Sequence, residues 1–171
     1  TGTTSGTTGI PTFTYTFTRN DIKLIGLALG HRLKQVGVHK GDRVLFIFAL
    51  GIYATTMTLW GIRQLGALPI DIDSRAGSDL MLRFADLARP HYLMCTFSLA
   101  QYLGKQAPER IGKTVAELGF KGLMVTGEIG VNMPREKKHL EEVYGCRVYD
   151  YWAPAGHAVA ISCDSDVYYG L

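Results

Sequence analysis

Three stretches of the sequence gather residue types that could do chemistry. Thr4-Ser5-Gly6-Thr7-Thr8-Gly9 sets hydroxyls beside two glycines. Glycine allows successive backbone N–H groups to converge, so this stretch could form a nest that cradles phosphate oxygens with neutral donors. Ile10 and Pro11 follow the second glycine, so it is not the lysine-bearing G-x-x-x-x-G-K-[ST] loop. The same composition also suits a Thr/Gly linker or a plain hairpin turn. The second stretch is split: Gly127-Glu128, and Asp150-Tyr151-Trp152. A flat ring needs an aromatic face to stack on and a polar backbone edge beside it. Tyr151 or Trp152 could be that face, or both could be core aromatics at a strand end. The third is Phe48, Leu50, Gly51, Ile52 and Tyr53. It could be an apolar slot with a small residue where the chain passes closely, or the ordinary packing of a strand-to-helix corner.

The elements that would position these residues follow from periodicity. Thr12–Thr18 (TFTYTFT) reads as a strand. Asn20 is expected to cap a helix carrying Ile22, Ile25, Leu29, Leu33 and Val36, weakened by Gly26 and Gly30 and stopped by Gly37. Arg43–Phe48 is a nearly unbroken apolar run, as in a strand buried on both faces. A helix over Gly51–Leu65 and a short strand over Ala67–Ile70 come next. Ser78 or Asp79 then caps a helix to about Ala88, and Tyr92–Cys95 is a strand. Ser98–Gly104 and Arg110–Leu118 read as short helices, Lys121–Val125 as a strand, Pro134–Tyr144 as a charged helix and Arg147–Tyr151 as a strand. Strands alternating with helices predict an α/β fold, a parallel or mostly parallel sheet with helices on both faces. In such sheets ligands lie outside the carboxyl ends of the strands. The loops after Phe48, Ile70, Cys95, Val125 and Tyr151 are therefore the ones to watch.

Composition narrows the classes further. The 171 residues fit one domain, and 47% hydrophobic with 19% charged residues is too apolar for a disordered chain. Eighteen basic against 15 acidic residues give a net charge of +3 with no basic run, so no nucleic-acid partner is expected. No stretch of 18 uninterrupted apolar residues occurs, and no membrane partner is expected. Cys95, Cys146 and Cys163 are an odd, widely spaced set, which argues against a disulfide scaffold and favours a cytoplasmic location. The chain opens inside the glycine loop and closes on Tyr169-Gly170-Leu171, so a piece of a longer protein is expected.

T-S-G-T-T-G-x-P closely resembles the phosphate-binding loop of the acyl-adenylate-forming superfamily, and Tyr15-Thr16-Phe17-Thr18-Arg19-Asn20-Asp21 is similar to its phenylacetate–CoA ligase branch. The likeness runs on in order: Gly41-Asp42-Arg43-Val44, Phe48 to Thr56, Leu65-Gly66-Ala67, Pro69-Ile70, Cys95-Thr96-Phe97-Ser98 (resembling C-T-P-S), Thr126-Gly127-Glu128 (G-G-E) and Val148 to Trp152 (A-Y-D-x-Y). Individually weak, these matches in the right order make a strong one. The resemblance implies an ATP-dependent enzyme that activates a carboxylic acid, aryl and phenylacetate-like, as an acyl-adenylate and then as a coenzyme A thioester. It implies ATP phosphates on Thr4, Ser5, Gly6, Thr7, Thr8 and Gly9. Adenine would lie on Gly127, Glu128, Asp150, Tyr151 and Trp152, and the acyl group near Phe48, Gly51 and Tyr53. Residues 1–171 would be the nucleotide- and acyl-binding core of the large N-terminal domain, without the family's mobile C-terminal domain and its lysine. The implied partners are the small-molecule acid, ATP and coenzyme A, with a homodimer admitted.

The departures matter equally. Ile10 stands where the family usually has lysine. Trp152-Ala153-Pro154-Ala155-Gly156 stands in the family's Tyr-Gly-x-Thr-Glu segment, whose Glu holds magnesium. Glycine cannot replace a carboxylate toward a hard cation, which opens the alternative of a non-catalytic nucleotide- or acyl-binding homologue. Asp164 and Asp166 read as a solvated turn rather than a substitute. His157 and Cys163 make a poor zinc pair. No metal site and no catalytic residue is assigned.

Overall fold

The computed structural model describes residues 2–3, 14–50, 55–153, 160–163 and 168–169. Strands β1 (Gly2–Thr3) and β2 (Thr14–Tyr15) pair antiparallel as a separate ribbon. The main sheet holds β3 (Arg43–Phe48), β4 (Leu68–Asp73), β5 (Tyr92–Thr96), β6 (Gly122–Thr126), β7 (Arg147–Trp152), β8 (Ala160–Ser162) and β9 (Tyr168–Tyr169). Their order is β4-β3-β5-β6-β7-β8-β9. The first five are parallel, and β8 and β9 continue the sheet antiparallel.

Alternation along the strands makes the layers. Val44, Phe46, Tyr92, Met94, Met124, Tyr149 and Tyr151 face one side and pack under α1 (Arg19–Gln35) and α2 (Thr56–Gln64). Leu45, Ile47, Leu93, Cys95, Leu123, Val125 and Val148 face the other side, under α3 (Ser78–Ala88), α4 (Phe97–Ile111) and α5 (Pro134–Tyr144). The α/β architecture expected from the sequence, helices on both faces of a mostly parallel sheet, is the one observed.

Several local expectations are corrected. Thr18, not Asn20, caps α1: its Oγ1 accepts the Asp21 N–H at 3.1 Å, and its own N–H donates to the Asp21 carboxylate at 2.8 Å. This reciprocal box satisfies two end groups at once. Helix α1 runs unbroken through Gly26 and Gly30, which are its contact face, buried against Trp60 and Gly61 of α2. Neither Ser78 nor Asp79 caps α3, whose cap residue is Gly77 with φ +86°. The two short helices expected around Gly104 are one, α4, followed by a 3-10 turn at Ala116–Leu118. Its buried stripe of Phe97, Ala100, Leu103 and Ala107 runs straight past Gly104, where Val143 of α5 leaves no room for a side chain. Strand β4 extends beyond Ile70 because Ile72 is also drawn into the core.

The amino ends of β3, β5 and β6 are tied together by a polar network absent from the sequence reading. The buried Asp42 carboxylate accepts the His39 N–H at 2.7 Å and Lys121 Nζ at 2.8 Å. His91 Nδ1 accepts the Arg43 N–H at 3.0 Å, which requires a bare Nδ1, and it lies 3.1 Å from Asp42 Oδ1. Arg43 in turn donates to the last carbonyls of α3, those of Ala88 and Arg89, completing the helix end with a cation. Burial, with the charges of Lys121 and Arg43 adding to it, holds His91 below its ordinary 6.5 despite the opposing pull of Asp42. Burial acts to raise Asp42, but the hydrogen bonds from Lys121 and His39 and the charges of Lys121 and His91 outweigh it, leaving the carboxyl below 3.8.

Both shifts have the same consequence for stability. As pH falls through 6.5 the unfolded chain takes up a proton at His91 before the folded chain does, so stability drops. Below 3.8 the Asp42 contribution goes too, as pH falls through its folded value. The urea midpoint is therefore expected to be lower at pH 5 than at pH 7.5. In His91→Asn, which keeps an acceptor without a titrating ring, that difference should shrink. A flat profile in the parent chain would remove His91 from the explanation.

Candidate functional site

The parallel strands end in a row at one edge of the sheet, where the ends of neighbouring strands lie in register. Thr96, last in β5, lies in register with Thr126, last in β6. Just beyond them, Glu128 accepts two hydrogen bonds from Ser98 in the first turn of α4: backbone N–H to Oε2 at 2.5 Å and hydroxyl to Oε1 at 2.6 Å. Thr96 Oγ1 accepts the Leu99 N–H at 3.3 Å. The first turn of α4 is thus closed by a hydroxyl and a carboxylate. Gly127 has φ +82°, a turn that favours glycine and aims Glu128 back across the edge.

On the other side of β6, Asp150 of β7 pairs in register with Val125, and its N–H donates to the buried Ser162 Oγ of β8 at 2.9 Å. The next two residues diverge. Tyr151 is 4% exposed, within the core under α1 and α2, whereas Trp152 is 48% exposed at the rim. Burial pushes the Tyr151 hydroxyl up to about 12, against the opposing effect of its hydrogen bond with Thr58 of α2. The two rings point to opposite faces, as successive residues of a strand must.

At the far end of the row, Asp73 closes β4. It accepts the Leu50 N–H at 3.3 Å and a two-pronged pair from Arg75 at 2.7 and 2.6 Å. These bonds, Arg75 first, hold its carboxyl well below the usual range. Asp73 thereby ties the loop after β3 to the end of β4. Phe48 is half-buried, its ring 4.6 Å from that of Phe46. Gly51, Ile52 and Tyr53 of the expected acyl slot, and Thr4 to Gly9 of the expected phosphate nest, lie outside the described residues.

The structure therefore brings Glu128 and Asp150 to one edge with Trp152, and sends Tyr151 inward. Sequence reasoning missed the Ser98–Glu128 and Asp73–Leu50 ties. Each joins residues more than twenty apart, and only strand register makes them neighbours. Among the described residues no cluster of three His, Cys, Asp or Glu side chains could hold a metal ion. Ala155 and Gly156 bring no side-chain oxygen to the place where the resemblance would put magnesium, so these residues do not fit that ion. Cys95 and Cys146 carry free thiols, both pushed up by burial, so neither is a ready nucleophile.

The α/β fold, a mostly parallel sheet with its helices, matches the N-terminal domain of adenylate-forming enzymes. The structural neighbours include several CoA ligases. A 2-hydroxyisobutyryl-CoA ligase, solved in complex with 2-HIB-AMP and CoA in the thioesterification state, is 26% identical with a TM-score of 0.85, over 96% of this chain and 35% of that one. The open conformation of a 2-hydroxyisobutyryl-CoA ligase with the same two molecules is 25% identical, with a TM-score of 0.80 over 86% of this chain and 33% of that one. A benzoate CoA ligase from Burkholderia xenovorans LB400 shares the fold at 18% identity, with a TM-score of 0.61 over 84% of this chain and 30% of that one. The chain spans about a third of the length of these structures. No family model and no curated protein matches the sequence. No described helix is long and apolar enough to cross a membrane.

Proposed function

We propose that residues 1–171 are the nucleotide- and acyl-binding core of an acid–thiol ligase that uses ATP and coenzyme A. The observation that carries this reading is the likeness, over 96% of the chain, to a CoA ligase structure holding 2-HIB-AMP and CoA. In the first step a carboxylate oxygen attacks the α-phosphorus of ATP; the bond to the β-phosphate breaks and pyrophosphate leaves. In the second the thiol sulfur of coenzyme A attacks the acyl carbon, and AMP leaves. The protein's part is to hold the carboxylate in line, to neutralise phosphate charge and to keep water from the mixed anhydride.

Within that scheme the backbone nest of Thr4, Ser5, Gly6, Thr7, Thr8 and Gly9 takes the β- and γ-phosphates. The ledge formed by Gly127 and Glu128 flanks the adenine, with Asp150 and the exposed face of Trp152 beside it, and Tyr151 supports that rim from the core. Phe48, Gly51 and Tyr53 line the acyl slot. The sequence resemblance favours an aryl, phenylacetate-like acid, and the odd, widely spaced cysteines favour a cytoplasmic enzyme. The non-catalytic alternative is not favoured by neighbours that carry both acyl-AMP and CoA.

Calorimetry with ATP and a pyrophosphate-release assay test the reading. The chain is expected to bind ATP yet to release no pyrophosphate from ATP and arylacetic acids above blank, since it spans about a third of its ligase neighbours. Absence of ATP binding would overturn the nucleotide assignment. Turnover by this chain alone would place the chemistry in residues other than those named.

A further inference from the structure

The loop from Gly127 to Asn132 carries two of the residues assigned to adenine, Gly127 and Glu128, yet it has no strand partner of its own. It is seated on α4 at two points. Glu128 grips the first turn of α4 through the N–H and hydroxyl of Ser98, at 2.5 and 2.6 Å. Two residues on, Gly130 lies flat against the buried ring of Phe97, whose Cδ1 and Cε1 leave no space for a side chain there. Just before the first point Gly127 turns with φ +82°, and just after the second Val131 is buried in the core below α4. One seat is charged and open to solvent; the other is apolar and closed.

We infer that Glu128 is a positioning residue, a clamp whose carboxylate fixes the Gly127–Gly130 ledge to the start of α4 and so sets the edge against which the adenine of ATP is read. The inference rests on the nucleotide reading above and deepens it. Glu128 is assigned to hold its own loop rather than to touch the base through its side chain. Two features favour this role over direct contact. Both carboxylate oxygens are already engaged by Ser98, and the charge complements the positive end of a 15-residue helix. A carboxylate committed to a helix start is also a poor neighbour for polyphosphate, so the clamp favours the uncharged base over β6 and the phosphates elsewhere along the edge.

The test compares the parent chain with Glu128→Gln, Glu128→Ala and Gly130→Ala, using amide hydrogen exchange and ATP titration. Glu128→Ala is expected to speed exchange of the Ser98 amide and of the loop amides about tenfold, leaving β5 and β6 protected, and to raise the ATP dissociation constant about tenfold. Glu128→Gln, which keeps an acceptor but no charge, should fall between. Gly130→Ala attacks the apolar seat and should weaken ATP binding while the Ser98 amide stays protected. Unchanged loop exchange in Glu128→Ala would overturn the clamp. So would a loosened loop that binds ATP as tightly as the parent, because the ledge would then not set the base. If the parent chain binds no ATP, the nucleotide reading falls separately, and the exchange data still decide whether Glu128 holds the loop.

Discussion

Tyr151→Ala is expected to cost about 3–5 kcal/mol of folding stability, the usual penalty for emptying a buried aromatic site. The ring lies in the core between the sheet and α1 and α2, and its hydroxyl is hydrogen-bonded with Thr58. Tyr151→Phe, which keeps the ring, should lose only about 1 kcal/mol. Trp152→Ala, one residue further along the same strand, should leave the urea midpoint nearly unchanged because the indole is half-exposed. Under the proposed function it should instead weaken ATP binding by roughly 1–3 kcal/mol, the scale of stacking a base on an aromatic face. Denaturation and ATP titration of the three variants separate the roles. Equal ATP affinity of folded parent and Trp152→Ala would remove the indole from the adenine site, and a small stability loss in Tyr151→Ala would mean the core refills the space.

The second large effect is expected at Gly61. A methyl group there would stand 2.7 Å from the backbone carbonyl oxygen of Gly26 and 3.2 Å from Leu29 Cβ. Backbone cannot move aside as a side chain can, so α1 and α2 must separate or tilt. The expected loss is about 2–3 kcal/mol, at the upper end for an overpacked core, and it should appear as a lower urea midpoint. Gly41→Ala offers a contrast with another origin: nothing lies near its Cβ, but φ is +86°, so its smaller loss would come from backbone strain. A tolerated Gly61→Ala would show that the two helices do not need their close approach.

The layered α/β architecture was legible because it is written locally. RVLFIF, YLMCT and GLMVT are apolar runs of strand length, and PREKKHLEEVY carries its own helical period and initial proline. What could not be read depends on residues far apart in sequence. Gly26, Gly30 and Gly104 look like helix breakers until the neighbouring helix is known, and only then become the positions where Trp60, Gly61 and Val143 pack close. Strands β8 and β9 are three and two residues long, too short for periodicity to announce. Thr18 and Asn20 are both good caps by type, and Asp21 three residues after Thr18 was the signal that should have decided between them. At the edge, the loops after β5 and β6 could be picked out from the parallel order of the strands, but the pairing of Ser98 with Glu128 belongs to strand register.

Pro69 gives the sheet a direction. Strand β4 forms the outer margin of the sheet, paired only with β3, and the Leu68 N–H donates inward to the Asp42 carbonyl at 2.8 Å. Residue 69 must therefore present its backbone outward, and as proline it has no hydrogen to offer a newcomer. The exposed acid Asp71 occupies the next outward position. A margin with one donor missing and a charge at the next outward position is a poor template for another strand, even though Leu68 beside it is exposed. Accretion of further copies, the first step toward insoluble ribbons, is disfavoured along this side by one imino acid and one carboxylate.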